Sequence, residues 1–318
     1  MKISLLEPLG VPESVIHDLS EPFRKSGHEF IYYDQKTTDR QELARRAKDS
    51  EIVMIANNPF PAEVVEQAEK LRMLAVAFTG IDHVGVAACR KKDVAVCNCA
   101  GYSNETVAEL AVGLAIGVLR HLKEADAAAR NGRTSAGLTG REISGRTVGI
   151  VGTGRIGVRT AQLFGAFGAK LLGYARHESE AAKAAGIRFS SLDELLEQSD
   201  IVSLHLPLTD ETRKSFGKRQ FDRMKPGSVF INCARGAIVD NEALSDALND
   251  GKPAGAGIDV FDMEPPIPAD DPLLHAKNCF LTPHVAFASE ESMLRRAKIE
   301  FDNVTAFLNG KPENVCKI

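Results

Sequence analysis

Thr147-Val148-Gly149-Ile150-Val151-Gly152-Thr153-Gly154-Arg155-Ile156-Gly157 is the stretch on which the reading of this chain turns. A β-rich run enters Gly152-x-Gly154-x-x-Gly157 and leaves it as helix-like Val158–Phe167. Each glycine has a physical reason to be there. Gly152 permits a tight turn, Gly154 lets the backbone approach a pyrophosphate, and Gly157 lets the helix pack on the strand. The N-terminus of that helix offers unpaired N–H groups and a partial positive charge to phosphates. A second strand-like run, Lys170–Tyr174, follows at βαβ spacing. The stretch predicts a dinucleotide-binding loop; the bland alternative is a glycine-rich turn that binds nothing.

The end of the second strand bears on cofactor choice. An NAD site places Asp or Glu there to hydrogen-bond the ribose hydroxyls. Here Ala175 holds that place, followed by Arg176 and His177. With no carboxylate to repel a 2′-phosphate and an Arg able to pair with one, the pattern favours NADP over NAD. The alternative is that Arg176 is a solvated surface residue. A methyltransferase binding an adenosyl donor shares the glycine motif but also wants an acid at this place, which counts against that reading.

Outward from this loop the chain alternates strand-like and helix-like segments. Before it come Ile3–Leu6, Phe30–Tyr33, Ile52–Ala56, Met73–Phe78 and Val94–Cys97, separated by helix-like stretches such as Arg40–Lys48 and Ala62–Glu69. After it come Ile201–Leu204, Val229–Ile231, Ala256–Ile258 and Phe280–Thr282, and a last helix over about Glu290–Leu308. This is the rhythm of parallel sheets covered by helices, so the fold class is α/β with two doubly wound, Rossmann-like units. One long helix is expected over about Asn104–Arg130, followed by a loop of small and polar residues, Asn131–Gly140.

Composition narrows the function. The 318 residues suit two domains. A net charge of −4, with no basic run longer than Arg90-Lys91-Lys92, argues against nucleic acid and membrane surfaces. Thr106–Leu119 is the most apolar segment, but it carries Glu109 and is shorter than the roughly 20 residues a bilayer requires. No signal peptide is expected at the N-terminus. The six cysteines make no zinc pattern, since Cys97-Asn98-Cys99 is too tight and has no matching pair. Free thiols in a reducing cytoplasm and no bound metal are the expectation.

Four further motifs follow in order: Val202-Ser203-Leu204-His205-Leu206-Pro207-Leu208-Thr209, then Met224–Gly236 ending in Asn232-Cys233-Ala234-Arg235-Gly236, then Gly257-Ile258-Asp259-Val260-Phe261-Asp262-Met263-Glu264-Pro265, then Leu281-Thr282-Pro283-His284. Together they resemble the D-isomer specific 2-hydroxyacid dehydrogenases, and glyoxylate and hydroxypyruvate reductases among them. Thr79-Gly80-Ile81-Asp82-His83-Val84 is similar to that family's substrate loop, and Gly101–Glu109 to the start of its interdomain helix. The resemblance implies a substrate-binding domain of residues 1–99 completed by a C-terminal helix within 287–318, and an NAD(P)-binding Rossmann domain of residues 100–286. It also implies a site in the cleft between them and a homodimer.

The resemblance implies a catalytic trio of Arg235, Glu264 and His284. Arg235 would hold the substrate carboxylate and carbonyl oxygen with its planar fork of donors. His284 would be the acid in reduction and the base in oxidation, a task suited to an imidazole, whose ordinary pKa is about 6.5. Glu264 would orient the ring and favour its cation. Substrate contacts would come from Phe78, Thr79, Gly80, Arg235 and His284, with the backbone N–H groups of Thr79 and Gly80 as a second carboxylate clamp. Cofactor contacts would come from Gly152, Gly154, Arg155, Ile156, Gly157, Ala175, Arg176, His205, Pro207, Thr212, Cys233, Asp259 and His284. Of these, Pro207 resembles a wall of the adenosine site and Asp259 a residue near the nicotinamide carboxamide. His205 is expected to shape the cofactor loop without moving a proton.

Phe78 and Val285-Ala286-Phe287 depart from the family pattern and, together with Phe60, point to a narrower or more apolar pocket. Between Glu51 and Glu69 there is no Lys or Arg, and an extra C-terminal regulatory domain of the kind found in many phosphoglycerate dehydrogenases is not expected. A small unphosphorylated 2-oxo acid is therefore expected as substrate, ahead of phosphoglycerate. A non-catalytic nucleotide sensor on the same scaffold is the rival from another class; it would bind cofactor and turn nothing over.

Overall fold

Short aliphatic runs without alternation become strands buried on both faces, in keeping with the parallel pairing of the strands within each sheet. The computed structural model describes residues 1–263 and 266–318. It divides into two units, residues 1–103 with 288–318 and residues 104–287.

In the first unit, strands β1 (Lys2–Leu5), β2 (Glu29–Tyr32), β3 (Ile52–Ile55), β4 (Met73–Val76) and β5 (Ala95–Asn98) form one sheet in the order β2-β1-β3-β4-β5. Both β3 and β4 are buried at every position. Helices α1 (Glu13–Lys25), α2 (Arg40–Ala47), α3 (Ala62–Gln67) and α4 (Val86–Lys91) connect them.

The second unit contains helices α5 (Asn104–Leu119), α6 (Leu122–Arg130), α7 (Arg155–Ala166), α8 (Glu180–Ala184), α9 (Leu192–Gln198), α10 (Lys218–Arg223) and α11 (Asn241–Asn249). Its strands are β6 (Thr147–Val151), β7 (Lys170–Tyr174), β8 (Arg188–Phe189), β9 (Ile201–Leu204), β10 (Val229–Asn232), β11 (Gly255–Ile258) and β12 (Cys279–Leu281). They run β12-β11-β10-β9-β6-β7-β8. Successive side chains along each strand point to opposite faces. Phe230, Leu204 and Val202 therefore join Phe216, Phe221 and Leu244 in one apolar layer. Ile231, Ile201 and Ile150 join Leu114 and Phe164 in the other.

The last helix, α12 (Glu290–Leu308), returns to the first unit and packs on α1 and β4. Phe301 stacks on Phe23 with ring centroids 5.6 Å apart. Ser289 starts this helix by accepting from the Ser292 N–H, satisfying a donor that a helix N-terminus otherwise leaves open.

One expectation is corrected. The long helix over Asn104–Arg130 is two helices, because Arg141 N–H donates to Leu119 O at 2.9 Å and caps α5. The chain then turns through His121, in the left-handed region at φ 51°. The two-residue strand β8 was not read from the sequence at all. Among the described residues no helix is long and apolar enough to cross a membrane.

Candidate active site

The strand order of the second unit reverses between β6 and β9, so the loops leaving these strands diverge and open a crevice at their C-terminal ends. The glycine loop lies there. Gly152 has φ +96°, a region that L side chains avoid. A Cβ on it would also stand 2.6 Å from His205 O. A Cβ on Gly157 would stand 2.0 Å from Gly152 O, so α7 lies against the loop with no room for a side chain. Beside Gly154 nothing comes within 4 Å of a built Cβ. That open backbone, at the start of α7, is a cradle of the shape and polarity a pyrophosphate needs. Arg155 is exposed at its edge, while Ile156 packs into the apolar layer under α7.

The floor and rim of the crevice come from β9 and β7. His205 N–H donates to Val151 O at 2.7 Å and its Nε2 lies 2.9 Å from Ser203 Oγ. Burial pushes the His205 imidazole down to about 4, which leaves it neutral at pH 7. Beyond it, the Thr212 hydroxyl donates to Pro207 O at 2.7 Å and accepts from Thr209 N at 2.8 Å, closing the loop on itself. At the end of β7, Ala175 is half-buried and Arg176 exposed. The Arg176 guanidinium is not alone, because it pairs with the carboxylate of Glu211 from the β9 loop. The sequence argument that no carboxylate stands at this place holds for the end of β7 but not for the fold, which delivers one from 35 residues away.

Three neighbouring parallel strands present the remaining polar groups. β10 and β12 flank β11, about 10 Å apart across it at normal strand spacing. Arg235 follows β10, half-buried; its Nη1 donates to Ala234 O at 2.7 Å, and its own carbonyl accepts from Asn232 Nδ2 at 3.1 Å. Cys233 beside it is buried, and burial pushes its thiol well above the ordinary range. His284 follows β12 in the left-handed region, φ 56°, where a side chain is strained. Its ring meets Phe287 edge-on at 5.4 Å.

Asp259, after β11, holds this strained loop. Its Oδ1 accepts from Thr282 Oγ1 at 2.6 Å and Val285 N at 2.9 Å, and its Oδ2 from Ala286 N at 2.8 Å. Burial raises the Asp259 carboxyl above the usual carboxylate range, with the Thr282 hydrogen bond the largest opposing influence. Sequence reasoning cast Asp259 as a cofactor contact and missed that both of its oxygens face the His284 loop; the Thr282 hydroxyl, two residues before His284, was the available signal. Glu264 lies outside the described residues. The segment leading to it is tied by Lys214, whose Nζ reaches Asp262 Oδ2 at 2.6 Å.

In the first unit, Thr79 and Gly80 follow β4, and Thr79 O accepts from Asn98 Nδ2 at 2.8 Å. The Phe78 ring is buried against Tyr102 and His83. Phe60 is completely buried in the core of that unit. The expectation that it narrows a substrate pocket is thereby corrected: its apolarity serves packing.

A Rossmann sheet with a phosphate cradle at its switch point defines a nucleotide-binding α/β protein. The family model of the D-isomer specific 2-hydroxyacid dehydrogenase NAD-binding domain matches residues 112–286. A glyoxylate reductase of Korarchaeum cryptofilum is 38% identical, covering 96% of this chain and 93% of its own. A hydroxypyruvate reductase of Blautia hydrogenotrophica is 36% identical over 90% of this chain and 91% of its own. Among solved structures, an acyclic imino acid reductase in complex with NADPH and D-Arg superimposes with a TM-score of 0.89 at 28% identity, over 100% of both chains. The chain belongs to the D-isomer specific 2-hydroxyacid dehydrogenase family and is a nicotinamide-dependent oxidoreductase.

Proposed function

We propose that this enzyme reduces small, unphosphorylated 2-oxo acids, with glyoxylate and hydroxypyruvate as its leading substrates, and runs the reverse oxidation of the D-2-hydroxy acids. The observation that carries the reading is the pairing of Arg235 after β10 with a strained His284 after β12, in a chain whose relatives reduce these acids. Residues 1–99 with the C-terminal helix within 287–318 serve as the substrate-binding domain, and residues 100–286 bind the cofactor.

A nicotinamide cofactor held in this crevice would supply the hydride. Arg235 binds the substrate carboxylate and polarises the C2 carbonyl. His284 delivers the proton to the C2 oxygen as the alkoxide develops, and Glu264 holds the imidazolium form ready. The N–H groups of Thr79 and Gly80, with Phe78 behind them, clamp the other end of the substrate. The glycine cradle, Arg155, Ile156, Ala175, Arg176, His205, Pro207, Thr212, Cys233, Asp259 and His284 would hold the cofactor. Arg176 favours NADP over NAD. The absence of Lys and Arg between Glu51 and Glu69 supports an unphosphorylated substrate.

The enzyme works as a homodimer in the cytoplasm. Helix α6 has no buried residue and its Leu122 is 47% exposed, a surface that suits a second copy of the chain. Its cysteines are free thiols, in keeping with a reducing compartment.

The test is loss of absorbance at 340 nm with NADPH, and separately NADH, against glyoxylate, hydroxypyruvate, pyruvate, phenylpyruvate, 2-oxoisocaproate and phosphohydroxypyruvate. Fastest turnover of glyoxylate or hydroxypyruvate is expected, with His284→Asn slower by about 10²–10⁴-fold. Preference for phosphohydroxypyruvate would overturn the substrate, and no turnover with bound cofactor would leave a nucleotide sensor.

A further inference from the structure

We infer that Glu211 sets the cofactor preference of this enzyme, by holding the Arg176 guanidinium that would otherwise read a 2′-phosphate. The inference rests on the reading of Arg176 given above. β7 and β9 flank β6, so Arg176 at the end of one and Glu211 in the loop after the other meet across the glycine loop that follows β6. A Rossmann crevice receives the adenosine ribose at the end of its second strand.

The backbone that carries Glu211 is fixed on both sides. Thr212 closes the turn through Pro207 and Thr209, and Lys214 N–H donates to Ala237 O at 2.8 Å. The carboxylate is thus presented by an ordered turn. The pair itself is open to solvent, with Arg176 66% and Glu211 74% exposed. An exposed pair adds little to folding, so it can exchange partners without cost to the structure.

Two consequences follow for the two cofactors. With a 2′-hydroxyl, the Glu211 carboxylate stands in for the acid that Ala175 does not provide. With a 2′-phosphate, the same carboxylate repels the incoming dianion and competes for the guanidinium, which binds phosphate through the same fork of donors. Glu211 therefore keeps the enzyme able to use both cofactors and restrains the NADP preference that Arg176 alone would give.

The experiment is calorimetric titration of 2′,5′-ADP and of 5′-AMP into wild type, Glu211→Gln, Arg176→Ala and the double variant, with kcat/KM for NADPH and NADH alongside. Glu211→Gln should tighten 2′,5′-ADP about two- to fivefold, the range an exposed ion pair commands, without tightening 5′-AMP. Arg176→Ala should weaken 2′,5′-ADP, and the double variant should bind it somewhat better than Arg176→Ala, because the repelling carboxylate is gone, but more weakly than Glu211→Gln. If Arg176→Ala weakens 2′,5′-ADP while Glu211→Gln changes neither nucleotide, or both equally, the role of Glu211 is overturned and the NADP reading survives. If Arg176→Ala leaves 2′,5′-ADP unchanged, both fall together.

Discussion

Replacing Asp259 by Asn should slow the chemical step far more than it weakens cofactor binding. The Asp259 side chain accepts three hydrogen bonds from the loop that carries His284, at 2.6, 2.9 and 2.8 Å. An Asn can keep one oxygen toward Thr282 and Val285, but its NH2 then faces the Ala286 N–H. That buried donor goes unsatisfied, at about 1–3 kcal/mol. The two remaining bonds lose their charge assistance, about half their strength, or roughly 1 kcal/mol each. Removing a buried charge returns part of this, since burial already opposes the Asp259 carboxylate. A net loss of about 2 kcal/mol is the working figure, comparable with the roughly 1–3 kcal/mol stored in a left-handed non-glycine residue such as His284. The loop then relaxes toward ordinary dihedrals and the ring leaves its place. Small displacements of a reacting group cost up to about 10²-fold, so kcat should fall by about 10- to 100-fold. Thr282→Val, which removes one of the three donors and leaves the carboxylate intact, should lower kcat by a few-fold. The assay is steady-state reduction of glyoxylate with both cofactors, with unfolding midpoints recorded to show that the variants are folded. If Asp259→Asn raises the cofactor KM more than tenfold while kcat stays within threefold of wild type, Asp259 acts through the cofactor alone and the anchoring argument is wrong.

Further outcomes follow from close contacts and buried charge. A Cβ at Gly236 would stand 1.9 Å from Phe261 O, backbone against backbone; Gly236→Ala should cost about 1–3 kcal/mol in urea denaturation and reduce turnover, and a variant as stable as wild type would refute the packing. Burial raises the Glu300 carboxyl well above its usual 4.5, assisted by Glu7 and opposed by Arg296, and burial raises Glu7 as well. A carboxyl that binds its proton more tightly when folded takes up protons on folding, so stability is greatest at low pH and falls as pH rises from about 4.5 through the folded value. Glu300→Gln should flatten that decline between pH 5 and 8 in thermal unfolding; a slope equal to that of wild type would exclude Glu300 as its source.

What was legible in the sequence was what local sterics dictate. The strands of both sheets other than β8 show because a parallel strand buried on both faces must be a short aliphatic run, as in Ile52–Ile55. The glycine loop shows because its glycines keep a fixed local spacing, Gly157 meeting Gly152 O inside the loop, although the carbonyl that crowds Gly152 comes from distant His205. The break between α5 and α6 does not show, because its cause is Arg141 capping Leu119 from beyond a loop. Arg235 and His284 were found through motifs that resemble a family, not through any local rule. The partner of Arg176 was invisible for the same reason as the helix break: Glu211 is 35 residues away, and nothing in its own neighbourhood says where its turn will point.

The loops of the second unit are held by one another in series, and this decides how the site tolerates change. Lys214, in the loop after β9, donates its N–H to Ala237 O in the β10 loop and reaches Asp262 in the β11 loop with its Nζ. Gly236, beside Arg235, lies directly under the Phe261 carbonyl. Asp259, also after β11, grips the backbone of the β12 loop at Val285 and Ala286. Each loop that carries a reacting group is therefore fixed by its neighbour as well as by its own strand. Polar groups satisfied in such a chain are coupled, so deletions along it should be non-additive. Gly236→Ala combined with Asp259→Asn should then slow turnover by less than the product of the single effects, because either one already releases the edge on which Arg235 and His284 are aligned. Two single losses that simply multiply would mean that the loops are held independently, and that the series of contacts is structural coincidence.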